Sequence, residues 1–209
     1  MELPFGFNKL PRVATGFTQS AMAFVGLASG IAVLLIILHF SAPSIDLEML
    51  MLVETLAFLF WIFCHLVAII LNAVWIFRTG KNAHVIQNVP DRIGAHMAWG
   101  WYLVPFANLW LPRTALVEIW NSSHDPQGNI DRKPPSYFNT WWASWIGFYF
   151  VARLAGTGDT DDFVFLIEGQ IGFALMGVLY FFAATKFIQI MREITARQTE
   201  LGSNEGTST

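Results

Sequence analysis

The stretch WGWYLVPFANLWLPRTALVEIW, Trp99 to Trp120, decides the topology of this chain. It is apolar enough to cross a bilayer, yet it contains two prolines, an asparagine, an arginine and four tryptophans. Trp and Tyr prefer the headgroup level of a membrane, and an internal proline removes a backbone donor and opposes a straight helix. The stretch therefore favours a broken helical element at the interface over a membrane span.

The second part of this stretch has an amphipathic pattern. Pro112 fits the first turn of a helix, where its missing N–H is not needed. Beyond it Leu116, Ile119 and Trp120 share one face of a helix, which is typical of a helix lying in the interface. Because non-helical backbone at membrane depth survives only when protein or water covers it, we expect the element, about 96–122, to pack against the remaining helices.

The composition indicates a polytopic membrane protein. The 209 residues have a mean hydropathy of +0.49 and are 55% hydrophobic and 13% charged, whereas soluble domains carry about 25% charged residues. A bilayer core needs about 20 consecutive apolar residues per helix. Four stretches qualify as transmembrane helices, at about 16–40, 50–77, 138–155 and 163–190.

The predicted fold class is all-α: a polytopic membrane helical bundle with four transmembrane helices and a broken re-entrant or interfacial helical element on the cytoplasmic side. We expect a single integral membrane domain over 1–200 and a disordered tail over 201–209, which is rich in Gly, Ser and Thr. The first span, which contains GLASG (Gly26 to Gly30), is predicted to be a retained signal anchor. Its small residues favour packing within the chain over a dimer contact.

The placement of Lys and Arg supports this topology, since these residues accumulate on the cytoplasmic side. With four spans and both termini cytoplasmic, eleven of the twelve Lys and Arg residues lie inside, the exception being Arg153. If the stretch Trp99 to Trp120 crossed the membrane, five would lie inside and six outside. The four-span arrangement places the basic residues on the cytoplasmic side, as expected, whereas the arrangement in which 99–120 crosses the membrane does not.

Three ionisable residues lie within predicted spans near the outer boundary: Glu54, Arg153 and Glu168. Ionisable groups inside a bilayer normally pair or line a cavity. Two interpretations stay open for this candidate intramembrane polar network. It is a structural ion pair with Arg153 reaching outward, or it lines, with Gln170, a polar cavity for a ligand or ion.

No cofactor is predicted. His65 lies near mid-bilayer, but the sequence offers no second histidine at a matching depth for a bis-histidine haem; Met176 leaves only a His/Met haem formally open. Cys64 is the single cysteine, which excludes an internal disulfide.

No metal or catalytic site is predicted either. The acidic turn Asp159 to Asp162 fails the EF-hand pattern, because Phe163 occupies a ligand position. The chain also lacks GxSxG, HExxH, CxxC, P-loop and GxGxxG motifs in a usable context. We therefore expect a protein that is not an enzyme.

Three segments, WIFRTGKNAHVI, WGWYLVPFANLWLPRTALVEIW and WWASW, resemble an uncharacterised bacterial membrane family catalogued as domain of unknown function 4328. The resemblance covers about 75–145 and implies a bacterial inner (cytoplasmic) membrane protein with no assigned activity. The segment RTGKN, which follows the second predicted span, is less basic than the same segment in many members of the family. This argues against a nucleic-acid partner. The signature positions that the resemblance implies are Asn82, Pro105, Asn108, Trp110, Pro112, Trp120, Trp141 and Trp142.

The sequence favours a non-catalytic accessory or scaffold subunit of a membrane protein complex. The expected partners are the lipid bilayer and a membrane protein or a second copy of the chain. The alternative is a small ligand or ion binding or transport protein, with an outward polar cavity around Glu54, Arg153 and Glu168. The candidate interfacial element that would dock a partner or lipid consists of Trp99, Trp101, Pro105, Asn108, Trp110, Pro112, Trp120, Trp141 and Trp142.

Overall fold

A computed structural model of the chain describes residues 6, 9–42, 48–87, 100, 106–127, 133–155 and 162–203, without the side chains of 154, 155 and 162–168. All regular structure in this part of the chain is helical, as predicted. In chain order the helices are α1 (Leu10–Ser41), α2 (Glu48–Gln87), a short 3₁₀ turn (Ala107–Leu109), α3 (Leu111–His124), α4 (Tyr137–Ala155) and α5 (Asp162–Ser203).

Within the described residues, three helical segments are long and apolar enough to cross a membrane: Leu10–Ser41, Glu48–Gln87 and Gly169–Ser203. They overlap the first, second and fourth predicted spans. The third predicted span is α4, whose 19 residues correspond to about 28 Å of helix. Helix α4 is not among the three segments, so the count of four spans stays a prediction.

Helices α2 and α5 continue well beyond the spans that hydropathy predicts. They contain 40 and 42 residues, or about 60 Å each, twice the thickness of a hydrocarbon core of about 30 Å. Helix α2 ends at Gln87 instead of 77, and α5 reaches Ser203 instead of 190. A hydropathy profile detects only the apolar part of a helix. Beyond that part, α2 and α5 continue through residues whose polar side chains pack within the chain. Of the predicted disordered tail, 201–203 are helical and 204–209 lie outside the described residues.

The chain packs as two compact units, each built from segments that alternate along the sequence. The sequence predicts a single domain over 1–200. The apolar unit consists of Gly16–Ala68 and Thr140–Thr185. The network unit consists of Met1–Thr15, Ile69–Asn139 and Lys186–Thr209.

The core of the apolar unit is built by α1, α2, α4 and α5 together. Outside this core, α2 presents large apolar side chains to its surroundings all along its first half, for example Leu52, Leu59 and Phe63. Such a surface suits lipid and would be unfavourable in water. The buried side chains of the core are those of Ala21, Val25, Trp61, Cys64, Phe148, Met176, Tyr180 and Ala184.

Helices α1 and α5 approach closely at Gly177. A Cβ atom added to Gly177 would lie 2.1 Å from Ser29 Oγ, and Ser29 Oγ donates a hydrogen bond of 2.9 Å to the carbonyl of Phe173. The segment GLASG thus packs within the chain, as expected, but through Ser29. No described atom lies within 4 Å of a Cβ added to Gly26 or Gly30, so the two glycines do not make this contact.

In the network unit, α3 begins where the sequence predicts. Pro112 occupies its first turn, and Leu116, Ile119 and Trp120 form its buried face. The helix has 14 residues, or about 21 Å, which is too short to span a bilayer. Its apolar face is covered by protein, which agrees with the expectation that the broken element packs against the chain. Its position relative to a membrane stays a prediction.

Candidate functional site

Two exposed aromatic side chains precede α3 on a tight turn. Phe106 is 77% exposed and Trp110 is 54% exposed, with the 3₁₀ turn Ala107–Leu109 between them. We call residues 106–110 the aromatic turn. Phe106 has a φ of 63°, the left-handed region that L residues with large side chains rarely adopt. Such backbone strain, about 1–3 kcal/mol, persists where surrounding structure enforces it and is concentrated at functional sites.

Helix α3, which follows the turn directly, is fixed within the network unit. Leu116 and Ile119 are fully buried. Arg113 Nη2 donates a hydrogen bond of 2.5 Å to Asn139 Oδ1. Since one face is fixed by packing and hydrogen bonding, the exposed Phe106 and Trp110 are presented on a rigid support.

The carboxylate of Glu193 on α5 joins three elements of the network unit. Trp120 Nε1 donates to Glu193 Oε1 over 2.9 Å, and the Tyr137 hydroxyl donates to Glu193 Oε2. His124 Nε2 lies 3.3 Å from Glu193 Oε1, while its ring stacks on Trp120 at 4.3 Å. Burial, followed by the bond to Glu193, raises the pKa of the Tyr137 hydroxyl, so it stays a donor well above neutral pH.

One turn further along α5, Gln198 is the centre of a second polar cluster. Its Nε2 donates to the carbonyl of Thr79 over 3.1 Å and to Ser123 Oγ over 3.0 Å. Asn82 Nδ2 donates to Gln198 Oε1 over 3.1 Å. All four residues are fully or almost fully buried. A satisfied buried network of this kind fixes the register of the helices that contribute to it.

The predicted docking residues fall into three groups. Pro112, Trp120, Trp141 and Trp142 are buried within the chain, and their side chains stabilise the fold. Asn108 is partly exposed and Trp110 is exposed. Trp99, Trp101 and Pro105 lie outside the described residues.

The predicted intramembrane polar network is described only in part. Glu54 is 8% exposed, and its Oε2 accepts a hydrogen bond of 3.4 Å from Gln170 Nε2. Arg153 is exposed, and its guanidinium lies 5.8 Å from the ring centre of Tyr149. The side chain of Glu168 lies outside the described residues. The grouping of Glu54, Arg153 and Glu168 therefore stays a prediction, and Gln170 is the residue that contacts Glu54.

His65 takes part in an aromatic cluster of the apolar unit. Its Nδ1 lies 2.8 Å from the Tyr180 hydroxyl, and its ring stacks on Trp61 with centroids 5.4 Å apart. Met176 is buried in the adjoining core. These contacts fit a packed histidine that joins α2 to α5, and the expectation that the chain binds no haem stays a prediction.

Sequence reasoning missed Phe106, Tyr137, Glu193 and Gln198. The one available signal is the polar character of the chain after Ile190, where the last predicted span ends. Glu193 and Gln198 lie five positions apart there, and their partners lie far away in sequence. No periodicity within α5 identifies those partners.

The long apolar helices and their packing have the features of an α-helical membrane protein. A family model described as "Domain of unknown function (DUF4328)" matches residues 46–196, and the chain belongs to this family. This confirms the resemblance recognised from residues 75–145. Neither the curated proteins nor the solved structures contain a match to the chain.

Proposed function

We propose that the chain is a non-catalytic accessory or scaffold subunit of a membrane protein complex, and that the aromatic turn docks a membrane protein partner. The carrying observation is the exposure of Phe106 and Trp110 on a strained turn. Aromatic side chains dominate the energetics of protein interfaces, and rigid presentation lowers the entropic cost of binding.

The proposed setting is a bacterial inner membrane crossed four times, with both termini cytoplasmic. The distribution of Lys and Arg and the long apolar helices support this arrangement. In this topology the aromatic turn is on the cytoplasmic side, where it reaches either a neighbouring subunit or a second copy of the chain.

Purification from the native membrane in a gentle detergent tests the docking role. We expect a stoichiometric complex with the wild-type chain, and its loss in the double variant Phe106→Ala, Trp110→Ala. A photo-crosslinking residue at position 110 should give an adduct with that same partner.

The matched control is Phe150→Ala, because Phe150 on α4 is 53% exposed, close to the exposure of Trp110. This variant should keep the complex. A complex that survives the double variant, or that both variants lose equally, would contradict the docking role. A crosslink to lipid alone would replace the protein partner by the bilayer.

A second candidate function is the binding or transport of a small ligand or ion near Glu54. The observation that favours it is the buried Glu54 carboxyl, one oxygen of which receives no hydrogen bond in the described structure. Transport predicts that Glu54→Gln or Glu168→Gln abolishes uptake into proteoliposomes without loss of folded protein. A change in stability alone would contradict transport.

A further inference from the structure

Two facing side chains in the apolar unit leave a pair of buried oxygens without a donor. Gln170 Nε2 of α5 donates to Glu54 Oε2 of α2 over 3.4 Å. The other oxygen of each group, Oε1 of Glu54 and Oε1 of Gln170, is buried and has no hydrogen-bond partner in the described structure. A buried acceptor without a donor is costly, so two of them on residues that are bonded to each other require an explanation.

A single proton satisfies both oxygens. A protonated carboxyl has one O–H donor in addition to its acceptor oxygen, and a primary amide has both a donor and an acceptor. The two groups are therefore able to form a ring of two hydrogen bonds. One half of this ring, from Gln170 Nε2 to Glu54 Oε2, is present in the structure. The two atoms without partners are the two atoms of the other half.

We infer that Glu54 and Gln170 form a proton-binding site in the apolar unit, with the proton on Glu54 Oε1 donated to Gln170 Oε1. This inference rests on the second candidate function and names its ligand. The proton comes from water and returns to water, and only the O–H bond of the carboxyl forms or breaks. Protonation also removes the charge whose burial in an apolar environment is costly.

In the described part of the chain, no charged side chain is bonded to Glu54 or Gln170. Helix α1 has no ionisable side chain between Arg12 and His39. On α4, Arg153 is exposed and lies over Tyr149, and on α2 itself His65 is bonded to Tyr180. The side chain of Glu168 on α5 lies outside the described residues.

A metal ion also fits the two oxygens less well than a proton does. Hard cations such as Ca²⁺ take about six to eight oxygen ligands, whereas this pair supplies two. The described residues contain no group of three or more His, Cys, Asp or Glu side chains arranged around a metal.

Infrared difference spectroscopy on the purified full chain tests the site directly, because a protonated carboxyl has a C=O stretch separate from the bands of a carboxylate. At pH 7 we expect this band in the wild type and its loss in Glu54→Gln. In Gln170→Leu the band should persist at a higher frequency, since its hydrogen bond is lost. The control Glu193→Gln should keep the wild-type band. No band difference between the wild type and Glu54→Gln would overturn the inference.

Thermal unfolding gives an independent measurement. Glutamine has the shape of the protonated acid, so at about pH 4, where the unfolded chain also keeps this proton, Glu54→Gln should fold and melt within about 1–2 °C of the wild type. As pH rises above about 4, the unfolded wild type releases the proton while the folded chain keeps it, so the Tm of the wild type should fall relative to that of Glu54→Gln. A Tm that rises with NaCl but not with choline chloride, only when Glu54 is present, would assign a metal cation and overturn the proton.

The inference and the transport function fail separately. An infrared band that depends on Glu54, in a protein that supports no flux into proteoliposomes, leaves the proton site and removes transport. Flux that is lost in Glu54→Gln, without such a band in the wild type, removes the proton site and leaves transport.

Discussion

Gln198 Nε2 donates a hydrogen bond to the backbone carbonyl of Thr79 over 3.1 Å, although the two residues are 119 positions apart. The same amide bonds Ser123 Oγ, and its oxygen accepts from Asn82. One side chain therefore connects α2, α3 and α5 within the network unit. Its removal takes a hydrogen bond from three buried residues at once, Thr79, Asn82 and Ser123.

We expect Gln198→Leu to lower the free energy of unfolding by about 2–4 kcal/mol, since Asn82 Nδ2 and Ser123 Oγ both lose a partner in a buried site. Thermal or denaturant unfolding of the purified protein measures this change. The control is Gln19→Leu on the exposed side of α1, which should change stability by less than about 0.5 kcal/mol. Equal effects of the two variants would contradict the role of Gln198.

The contact of α1 with α5 at Gly177 should not tolerate a methyl group. The Cβ of Gly177→Ala would meet Ser29 Oγ at 2.1 Å and Ser29 Cβ at 2.7 Å, and overpacking of this kind costs about 1–3 kcal/mol. Gly26→Ala is the matched control, because it meets no described atom within 4 Å.

The combination Ser29→Gly with Gly177→Ala removes both clashing atoms and should recover most of the lost stability. A double-mutant cycle by thermal unfolding measures the coupling between the two positions. Additive effects would show that the two helices do not meet at this point.

Tyr137 should make stability depend on pH only in the alkaline range. Its pKa is raised above the ordinary value of 10.0 by burial and by Glu193, so the folded chain keeps the proton longer than the unfolded chain does. The contribution is fully present below about pH 10 and is lost as pH rises above that value.

Tyr137→Phe is expected to lose about 1 kcal/mol at pH 7, because the bond to the partly exposed Glu193 is removed. It should also show a smaller fall in Tm above pH 10. The measurement is Tm as a function of pH for both proteins. A parallel fall in the two proteins would assign the alkaline effect to another group.

A reporter placed after Asp162 tests the four-span topology. We expect a periplasmic signal there and cytoplasmic signals after Asp125 and at the C-terminus, since this arrangement leaves the basic loops inside. Alkaline phosphatase and fluorescent-protein fusions at the same positions give opposite readouts. A cytoplasmic signal after Asp162 would overturn the arrangement and move α4 out of the set of spans.

The helical fold and the buried face of α3 were accessible from the sequence, because both follow from local patterns. The spacing of Leu116, Ile119 and Trp120 follows the helical repeat, and the structure buries all three. The apolar runs also predict the first residues of α2 and α5 closely, at about 50 and 163 compared with Glu48 and Asp162 in the structure.

The last residues of α2 and α5 and the polar clusters of the network unit could not be predicted from the sequence. Beyond residue 77, α2 is prolonged by residues such as Asn82, whose partner Gln198 is 116 positions away. A hydropathy profile assigns such residues to a loop, because it contains no information on contacts between distant segments. The same limit applies to the partnership of Tyr137 with Glu193, which joins residues 56 positions apart.

The hydrogen bond between Asn82 and Gln198 also sets an order for biogenesis. A ribosome adds about 5–20 residues per second, so Gln198 appears on the order of 10 s after Asn82. During that interval α3 and the second half of α2 have no α5 to bury their polar side chains. A nascent chain arrested before Glu193 would present those groups to chaperones and proteases. The last turns of α5 are thus needed to bury the polar side chains that α2 and α3 contribute to the network unit.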